Sequence, residues 1–344
     1  MSLDFSLLEG EYLCDLLDEP RVLERTLAGL QTTASLSELA RDLGAGRFRR
    51  VILTGMGGSF HALYPLFFSL NRAGVSTLLL ETSELIHSMP QAIDANTLLV
   101  VLSQSGRSAE VIRLLDMRGG ARTIGITNHA DADLARRADA VVPTQAGEEF
   151  SVSCKTYVAS LLALQWLRVV LCQMEPVDQL QQAAPAAERY LKDWRDHVQF
   201  LWSEMEGIDD VFLVGRGDSL ATAGTGGLIL KESAKFHAEG MSSAAFRHGP
   251  FEMTGPGVFV LAFSGEGSAA RLNKGLVDDV RNAGGRAALV GPDAAAAYRL
   301  PSPWSLATPI LEILPVQMLS LALAARGNHQ PGKFRLITKV TTVE

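Results

Sequence analysis

The sequence contains an internal repeat, and this repeat restricts the possible folds more than any other feature. The segment 51–59, Val-Ile-Leu-Thr-Gly-Met-Gly-Gly-Ser, returns at an offset of 160 residues as 211–219, Val-Phe-Leu-Val-Gly-Arg-Gly-Asp-Ser. Further corresponding positions are Val100 and Val260, Ser108 and Ser268, and, more loosely, Arg122 and Arg286. A repeat this long indicates two copies of a domain rather than a solenoid of short units.

Short apolar runs alternate with helix-like segments within each copy. The runs lie at 51–54, 76–80, 97–102, 122–126 and 140–143 in the first copy and at 210–214, 257–262 and 286–290 in the second. This alternation predicts an α/β fold with two tandem doubly wound, flavodoxin-like parallel sheets. In such sheets, ligands bind beyond the carboxyl ends of the strands.

The predicted domain organisation follows from the repeat and the segments around it. We expect a helical leader at 1–45, a first α/β domain at 46–175, a helical connector at 176–200, a second α/β domain at 201–330 and a C-terminal tail at 331–344. The most hydrophobic helix candidate, 157–174, contains Ser160, Gln165 and Arg168. It is therefore expected to lie in a protein core and not to span a membrane.

A cluster of polar side chains follows the third apolar run. Ser103, Gln104, Ser105 and Ser108 lie where a strand ends and a helix begins. Free backbone N–H groups at a helix N-terminus, together with hydroxyl groups, bind phosphate without a metal ion. One helix cap needs only one hydroxyl, so these residues predict a phosphate site. The alternative is an ordinary serine-capped turn.

The second copy does not keep this polar cluster. Phe263, Ser264 and Gly265 stand where the first copy has Ser-Gln-Ser, so we expect only the first copy to bind phosphate. The glycines after the first strand of each copy also fail to form a dinucleotide-binding fingerprint, because Phe60 and Leu220 occupy the third glycine position.

Composition argues against several classes of partner and location. The net charge is −7 at pH 7, and no cluster of lysine or arginine offers a surface for nucleic acid. Cys14, Cys154 and Cys172 have neither metal-site spacing nor the pattern of a disulfide framework, which fits a reducing cytoplasm. The first residues do not show the pattern of a signal peptide, so we expect a cytoplasmic protein.

Several short segments, in a shared order, together resemble the sugar isomerase (SIS) family. These segments are 12–30, 57–59, 103–106, 155–157, 231–239, 247–250 and 336–344. The resemblance covers nearly the whole chain and is strongest to double-SIS phosphosugar isomerases and deaminases, including the isomerase half of glucosamine-6-phosphate synthase. It implies that the ligand is a sugar 6-phosphate and that the protein is a homodimer with its sites near the interface between the subunits.

The resemblance also implies roles for individual residues. The residues implied to hold the sugar phosphate are Ser59, Ser103, Gln104, Ser105 and Ser108, and those implied to line the pocket are Gly57, Gly58 and Ser153. Glu232 is implied to move a proton between C1 and C2, His248 to open the sugar ring and Lys339 to meet the sugar carbonyl.

These three roles are chemically reasonable, although each residue has a plainer interpretation. Glu232 is predicted on a helix over 227–238 with mostly apolar neighbours, where burial would raise its pKa toward that of a usable acid and base. An imidazole with a pKa near neutrality suits ring opening by His248. The alternatives are a surface glutamate, a turn histidine bonded to backbone and a solvated lysine at Lys339.

Departures from the family pattern influence the predicted reaction. Ile229 stands where the synthase helix has a lysine one turn before its glutamate, and Lys235 is the nearest replacement. The sequence shows no glutaminase segment and no cysteine after Met1, so we do not expect glutamine-dependent synthesis from this chain alone.

We predict instead that the chain converts glucosamine 6-phosphate to fructose 6-phosphate and ammonia, without a metal or organic cofactor. Three alternatives remain at this point. The chain could be an aldose–ketose phosphosugar isomerase, a deglycase acting on sugar-amine 6-phosphates, or a non-catalytic sugar-phosphate regulator on the same fold.

Overall fold

The computed structural model describes residues 3–174, 177–300, 306–336 and 338–339. The chain divides into two compact units. The first-sheet unit contains Arg21–Glu148, Lys155–Gln181 and the tail from Thr338. The second-sheet unit contains the N-terminal residues as far as Pro20, together with Glu149–Cys154 and Gln182–Ile337.

Helices and strands alternate along most of the described chain. The helices are α1 Glu11–Leu17, α2 Glu19–Gly29, α3 Ala34–Gly44, α4 Gly58–Ala62, α5 Tyr64–Arg72, α6 Thr82–His87, α7 Ala109–Met117, α8 Asp133–Arg137, α9 Lys155–Cys172, α10 Ala183–Leu191, α11 Trp194–Glu204, α12 Leu220–Ala234, α13 Ser243–Arg247, α14 Ser268–Asn282, α15 Thr308–Leu311 and α16 Ile313–Arg326. The strands are β1 Arg50–Gly55, β2 Thr77–Glu81, β3 Thr97–Leu102, β4 Arg122–Thr127, β5 Ala140–Pro143, β6 Asp210–Gly215, β7 Ala238–Ser242, β8 Val258–Phe263 and β9 Arg286–Val290.

The first-sheet unit has a parallel five-stranded sheet in the order β2-β1-β3-β4-β5. Its central strand β3 is buried along its whole length, as expected for a strand covered on both faces. Leu99 and Val101 of β3 pack with Leu85 of α6 and Leu114 of α7. The strand order reverses between β1 and β3, so a crevice for a ligand is expected at their carboxyl ends.

The second-sheet unit has a parallel four-stranded sheet in the order β7-β6-β8-β9. Phe212 of β6 and Val260 of β8 pack with Phe246 of α13 and Leu276 of α14. The two sheets confirm the predicted α/β fold with tandem parallel sheets. Each predicted apolar run lies within one residue of a strand at both ends.

One part of the predicted second copy is wrong. The helix expected over 227–238 ends at Ala234, and strand β7 begins at Ala238. Lys235 adopts a left-handed backbone, with φ 52°, and the N–H of Phe236 bonds back to the carbonyl of Leu230 at 3.2 Å. This is the geometry by which helices commonly terminate.

Two glycines allow α12 to lie directly on β7. A Cβ atom on Gly240 would be 1.9 Å from the carbonyl oxygen of Ala223, and one on Gly227 would be 2.6 Å from the Gly240 nitrogen. A side chain at either position would therefore separate the helix from the strand. The sequence Ala-Glu-Gly-Met-Ser of β7 has no β-branched residue, which is why its composition gave no strand signal.

Two stretches are long and apolar enough to cross a membrane by composition alone, Lys155–Cys172 and Thr308–Arg326. In the most apolar 18-residue stretch of each helix, 83% of the first and 94% of the second is buried inside the protein. Core helices of soluble proteins have the same character, and the first of these agrees with the buried helix expected over 157–174.

Candidate functional site

The first-sheet unit has a pocket of about 160 Å³ at the carboxyl ends of β1 and β3. Its lining residues are Met56, Ser59, Leu102, Ser103, Gln104, Ser105, Ser108, Glu110, Val111 and Lys339. All five residues expected to hold phosphate are among them, and so is the tail lysine. The pocket therefore brings Lys339 together with residues that lie far from it in the sequence.

The loop after β3 is held in one shape by its own hydrogen bonds. The hydroxyl oxygen of Ser103 accepts a bond from the N–H of Gly106 at 3.1 Å, and Thr127 Oγ1 donates to the carbonyl of Gln104 at 3.1 Å. Gly106 has φ +61°, and a Cβ atom there would lie 2.7 Å from the Cβ of Ala132. Only glycine fits this position without strain.

Helix α7 directs its N-terminus at the pocket. Ser108 is the N-cap residue, with an extended backbone, but its side chain makes no capping hydrogen bond. The first N–H groups of a helix have no acceptor within the helix, and its dipole adds partial positive charge there. Both the hydroxyl of Ser108 and the first turn of α7 are therefore suited to contact an anion.

The cationic group of the pocket is Lys339, which is half-buried. Arg107 lies in the same loop but does not line the pocket, and its guanidinium is 2.6 Å from the carboxylate of Asp131. The Ser105 hydroxyl oxygen accepts the N–H of Arg107 at 3.3 Å. Arg107 thus shapes the loop, whereas Lys339 lines the pocket itself.

The residues expected only to line the pocket are not among the residues that line it. Gly57 is the N-cap of α4, with φ 53°, and Gly58 is the first residue of that helix. Neither is among the residues that line the 160 Å³ pocket. Ser153 belongs to the second-sheet unit. The glycines shape the turn that presents Ser59, whose N–H bonds to the carbonyl of Met56 at 3.0 Å.

Glu232 and His248 both lie in the second-sheet unit. Glu232 is in the last turn of α12 and is half-buried. It is therefore less buried than expected from its apolar neighbours in the sequence. His248 ends α13 and is exposed, with its backbone N–H bonded to the carbonyl of Ala245 at 3.0 Å.

Lys235 connects the end of α12 to the chain that leads to the tail. Its Nζ donates to the carbonyl of Glu232 and, at 3.0 Å, to the carbonyl of Lys333. The N–H of Gly332 also bonds to the carbonyl of Ser233 at 3.3 Å. Burial lowers the pKa of Lys235, and nearby Arg335 lowers it further, whereas Glu232 raises it.

Glu312 is a buried carboxyl to which the sequence drew no attention. It lies between α15 and α16, is fully buried, and its Oε1 accepts a hydrogen bond from Ser219 Oγ at 2.8 Å. Burial, with Asp218 nearby, raises its pKa to about 8. Ser219 is the repeat counterpart of Ser59, so in the second copy this hydroxyl already has an internal carboxyl as partner.

One group of possible metal ligands exists among the described residues. Asp15, Glu149 and Cys154, all buried in the second-sheet unit, bring ligand atoms within 4.8 Å of one another. Hydrogen bonds already link them to their surroundings. Glu149 Oε1 accepts from the Cys154 N–H at 3.0 Å, and Asp15 accepts from Ser151 Oγ at 3.2 Å.

The SIS domain family model matches residues 47–170 and 205–291. The chain belongs to the SIS domain family. The two matched segments contain the two copies of the sequence repeat and the two parallel sheets, so the resemblance recognised from the motifs is confirmed.

Curated relatives extend over nearly the whole chain. The chain is 28% identical over 348 residues to the isomerizing glutamine–fructose-6-phosphate aminotransferase of Pyrococcus horikoshii, with 96% of this chain and 57% of the relative covered. It is 30% identical over 358 residues to the protein of the same name from Symbiobacterium thermophilum, with 96% and 59% covered. The chain thus spans somewhat more than half of the length of these relatives.

Solved structures of similar length share the fold. The C-terminal domain of glucosamine-fructose-6-phosphate aminotransferase from Francisella tularensis has a TM-score of 0.81 at 20% identity, covering 97% of this chain and 99% of that one. A glucosamine-6-phosphate deaminase from Thermotoga maritima has a TM-score of 0.81 at 19% identity, covering 97% and 100%.

Proposed function

We propose that this chain is a phosphosugar isomerase that deaminates glucosamine 6-phosphate, yielding fructose 6-phosphate and ammonia. The observation that carries the proposal is the presence of Lys339 in the same pocket as the five residues expected to hold phosphate. The site combines a lysine with a group of phosphate-binding residues where the strand order of a parallel sheet reverses. This arrangement favours a binding site for an open-chain sugar phosphate over an ordinary serine-capped turn.

In the proposed complex, the pocket holds the phosphate at one end of the open-chain sugar. The hydroxyls of Ser59, Ser103, Ser105 and Ser108 and the amide of Gln104 donate to its oxygens. The N-terminus of α7 offsets part of its charge. Fixing the phosphate limits the positions that the carbonyl end can reach, which lowers the entropy cost of the reaction.

The proposed chemistry combines ring opening, proton transfer from C2 to C1 and release of ammonia. His248 transfers a proton during ring opening, which gives the C1 aldehyde. Glu232 removes the proton from C2 and returns it to C1, while a proton from the amine passes to O1. C1 thereby becomes a hydroxymethyl group, and an imine forms at C2. Water then adds to the imine, and ammonia leaves as the C2 ketone forms. Lys339 stabilises or transiently holds the sugar carbonyl during these steps.

The proposal includes a cytoplasmic homodimer, as the family resemblance implies. The relatives named as aminotransferases act on fructose 6-phosphate according to their names, which supports a six-carbon phosphosugar. The deaminase from Thermotoga maritima matches the chain in length as well as fold, which supports release of the amine.

Two variants separate binding from chemistry. Glu232→Gln should still bind glucosamine 6-phosphate, measured as a rise in melting temperature, but should form neither product. Ser105→Ala should retain turnover at saturating substrate while its KM rises, because it removes one hydrogen bond to a charged group, roughly tenfold in affinity. Equal turnover by Glu232→Gln and wild type would refute the proposed chemistry.

A second candidate is an aldose–ketose phosphosugar isomerase. It is favoured by the similarity to the tagatose-6-phosphate ketose/aldose isomerase of Escherichia coli, which has a TM-score of 0.77 and covers 96% of each chain. Interconversion of an aldose and a ketose 6-phosphate, with no ammonia from the amino sugar, would support this candidate. Stabilisation by ligand without any turnover would support a regulator instead.

A further inference from the structure

The phosphate pocket contains a carboxyl group that the proposed reaction does not use. Glu110, the second residue of α7, lines the pocket and is only 7% exposed. Its Oε2 atom is buried and has no hydrogen-bond partner among the described residues. As a carboxylate this side chain can only accept hydrogen bonds, whereas the hydroxyl, amide and ammonium groups that line the same pocket can donate.

This placement is unfavourable for a fully ionised ligand. A carboxylate and an oxyanion repel each other strongly where water is excluded, and a buried acceptor without a donor carries its full desolvation penalty. The N-terminus of α7 stabilises a negative charge on Glu110 but does not give Oε2 a hydrogen. A ligand that carries a hydrogen on one of its oxygens would supply the missing donor and would carry one negative charge fewer.

We infer that Glu110 selects a phosphate ester over a sulfate ester by accepting a hydrogen bond from a protonated ligand oxygen. This inference rests on the proposed phosphate site. The second pKa of a phosphate ester is about 6, so its monoanion with one P–O–H group is accessible near neutral pH. A sulfate ester has the same single charge and nearly the same shape, but it has no hydrogen to donate.

The proton balance is simple. Below the second pKa of the phosphate, the ester arrives with its proton. Above it, binding takes up one proton from solvent, which lies between the ester and Glu110. Affinity for the phosphate ester should therefore fall with rising pH once the free ester is mostly dianionic, by up to tenfold per pH unit.

Few other ionisable groups can change this balance. Lys339, from the tail, is the other ionisable residue among those lining the pocket. Helix α7 also packs against α6 and α8. Contacts of charged residues on these elements include Glu84 with Ser88, Arg136 with Asp133 and Arg137 with Asp116, and none of these residues lines the pocket. Neither does His87 of α6.

The test compares glucitol 6-phosphate with glucitol 6-sulfate, because these open-chain polyols cannot isomerise. Calorimetry on the wild-type protein at pH 6.5 should show binding of the phosphate and at least roughly tenfold weaker binding of the sulfate, the effect of one hydrogen bond with a charged group. Glu110→Gln replaces the acceptor oxygen by an amide that can donate. It should bind the sulfate roughly tenfold more tightly than wild type and lose most of the pH dependence.

Glu84→Gln is the matched control, because it removes an exposed acid on the neighbouring helix. It should discriminate between the esters as wild type does. Wild-type binding of both esters with equal affinity would overturn the inference while leaving the phosphate pocket standing. An unchanged ester ratio in a folded Glu110→Gln protein would also overturn it. Binding of neither ester to any variant would instead refute the phosphate pocket itself.

Discussion

Glu312 makes the stability of the second-sheet unit depend on pH. Its carboxyl is fully buried, with Ser219 Oγ as donor to Oε1 and no hydrogen-bond partner for Oε2 among the described residues. Burial therefore favours the neutral acid, and the pKa rises from 4.5 to about 8. Because the folded-state pKa is raised, the contribution of this carboxyl to the stability of the unit is fully present below pH 4.5 and is lost as the pH rises toward 8.

The size of this loss follows from the difference in pKa. Each unit of pKa corresponds to about 1.4 kcal/mol, so between pH 4.5 and 8 the wild-type unit loses on the order of 4 kcal/mol from this carboxyl. Glu312→Gln keeps an oxygen acceptor for Ser219 and cannot ionise. Its free energy of unfolding should therefore change less with pH. The stability of the variant relative to wild type should increase as the pH rises.

The assay is thermal and denaturant unfolding of wild type and Glu312→Gln at pH 5, 7 and 8.5. We expect the difference in unfolding free energy between the two proteins to move in favour of the variant by a few kcal/mol across this range. Glu266→Gln, which removes an exposed glutamate from the same unit, should show no such trend. A difference between Glu312→Gln and wild type that does not vary with pH would refute the burial argument.

Three further predictions concern the site. Gly106→Ala should raise the KM for the phosphosugar at least roughly tenfold. A left-handed backbone costs an alanine about 1 kcal/mol, and its Cβ would also clash with Ala132. An unchanged KM would contradict the rigid loop. Lys339→Ala should weaken binding of glucitol 6-phosphate by roughly tenfold and abolish turnover, whereas Lys333→Ala, measured by the same calorimetry, should bind normally. Lys235→Gly should raise the melting temperature slightly, since glycine tolerates a left-handed backbone, yet speed proteolysis after residue 332 and lower kcat. Lys231→Ala, on the same helix, should change none of these, and equal proteolysis rates for Lys235→Gly and wild type would contradict the role of Lys235 in holding the tail segment.

The sequence was most informative where local composition and local structure agree. Strand β3 was predicted over its full length because Thr97 is followed by five aliphatic residues without interruption, two of them β-branched valines. The polar cluster after it could be predicted as a site because the topology of a parallel sheet places strand ends at one edge. The repeat likewise predicted a second sheet without further evidence.

The sequence was least informative where a residue depends on distant neighbours. Strand β7 pairs with β6 through the backbone and contacts α12 through glycine, so its side chains carry little strand signal. Ser219, the hydrogen-bond partner of Glu312, lies 93 residues away in the sequence. Glu110 is an acidic residue in the first turn of a helix, where such residues are common. Burial of these carboxyls follows from packing, which a single sequence does not display.

The measurement that tests the account most directly is the ratio of products released from glucosamine 6-phosphate by the wild-type protein. Ammonia and fructose 6-phosphate should appear at equal rates, and both should disappear in Glu232→Gln. Release of neither product, or formation of a phosphorylated ketose without ammonia, would contradict the proposed deamination.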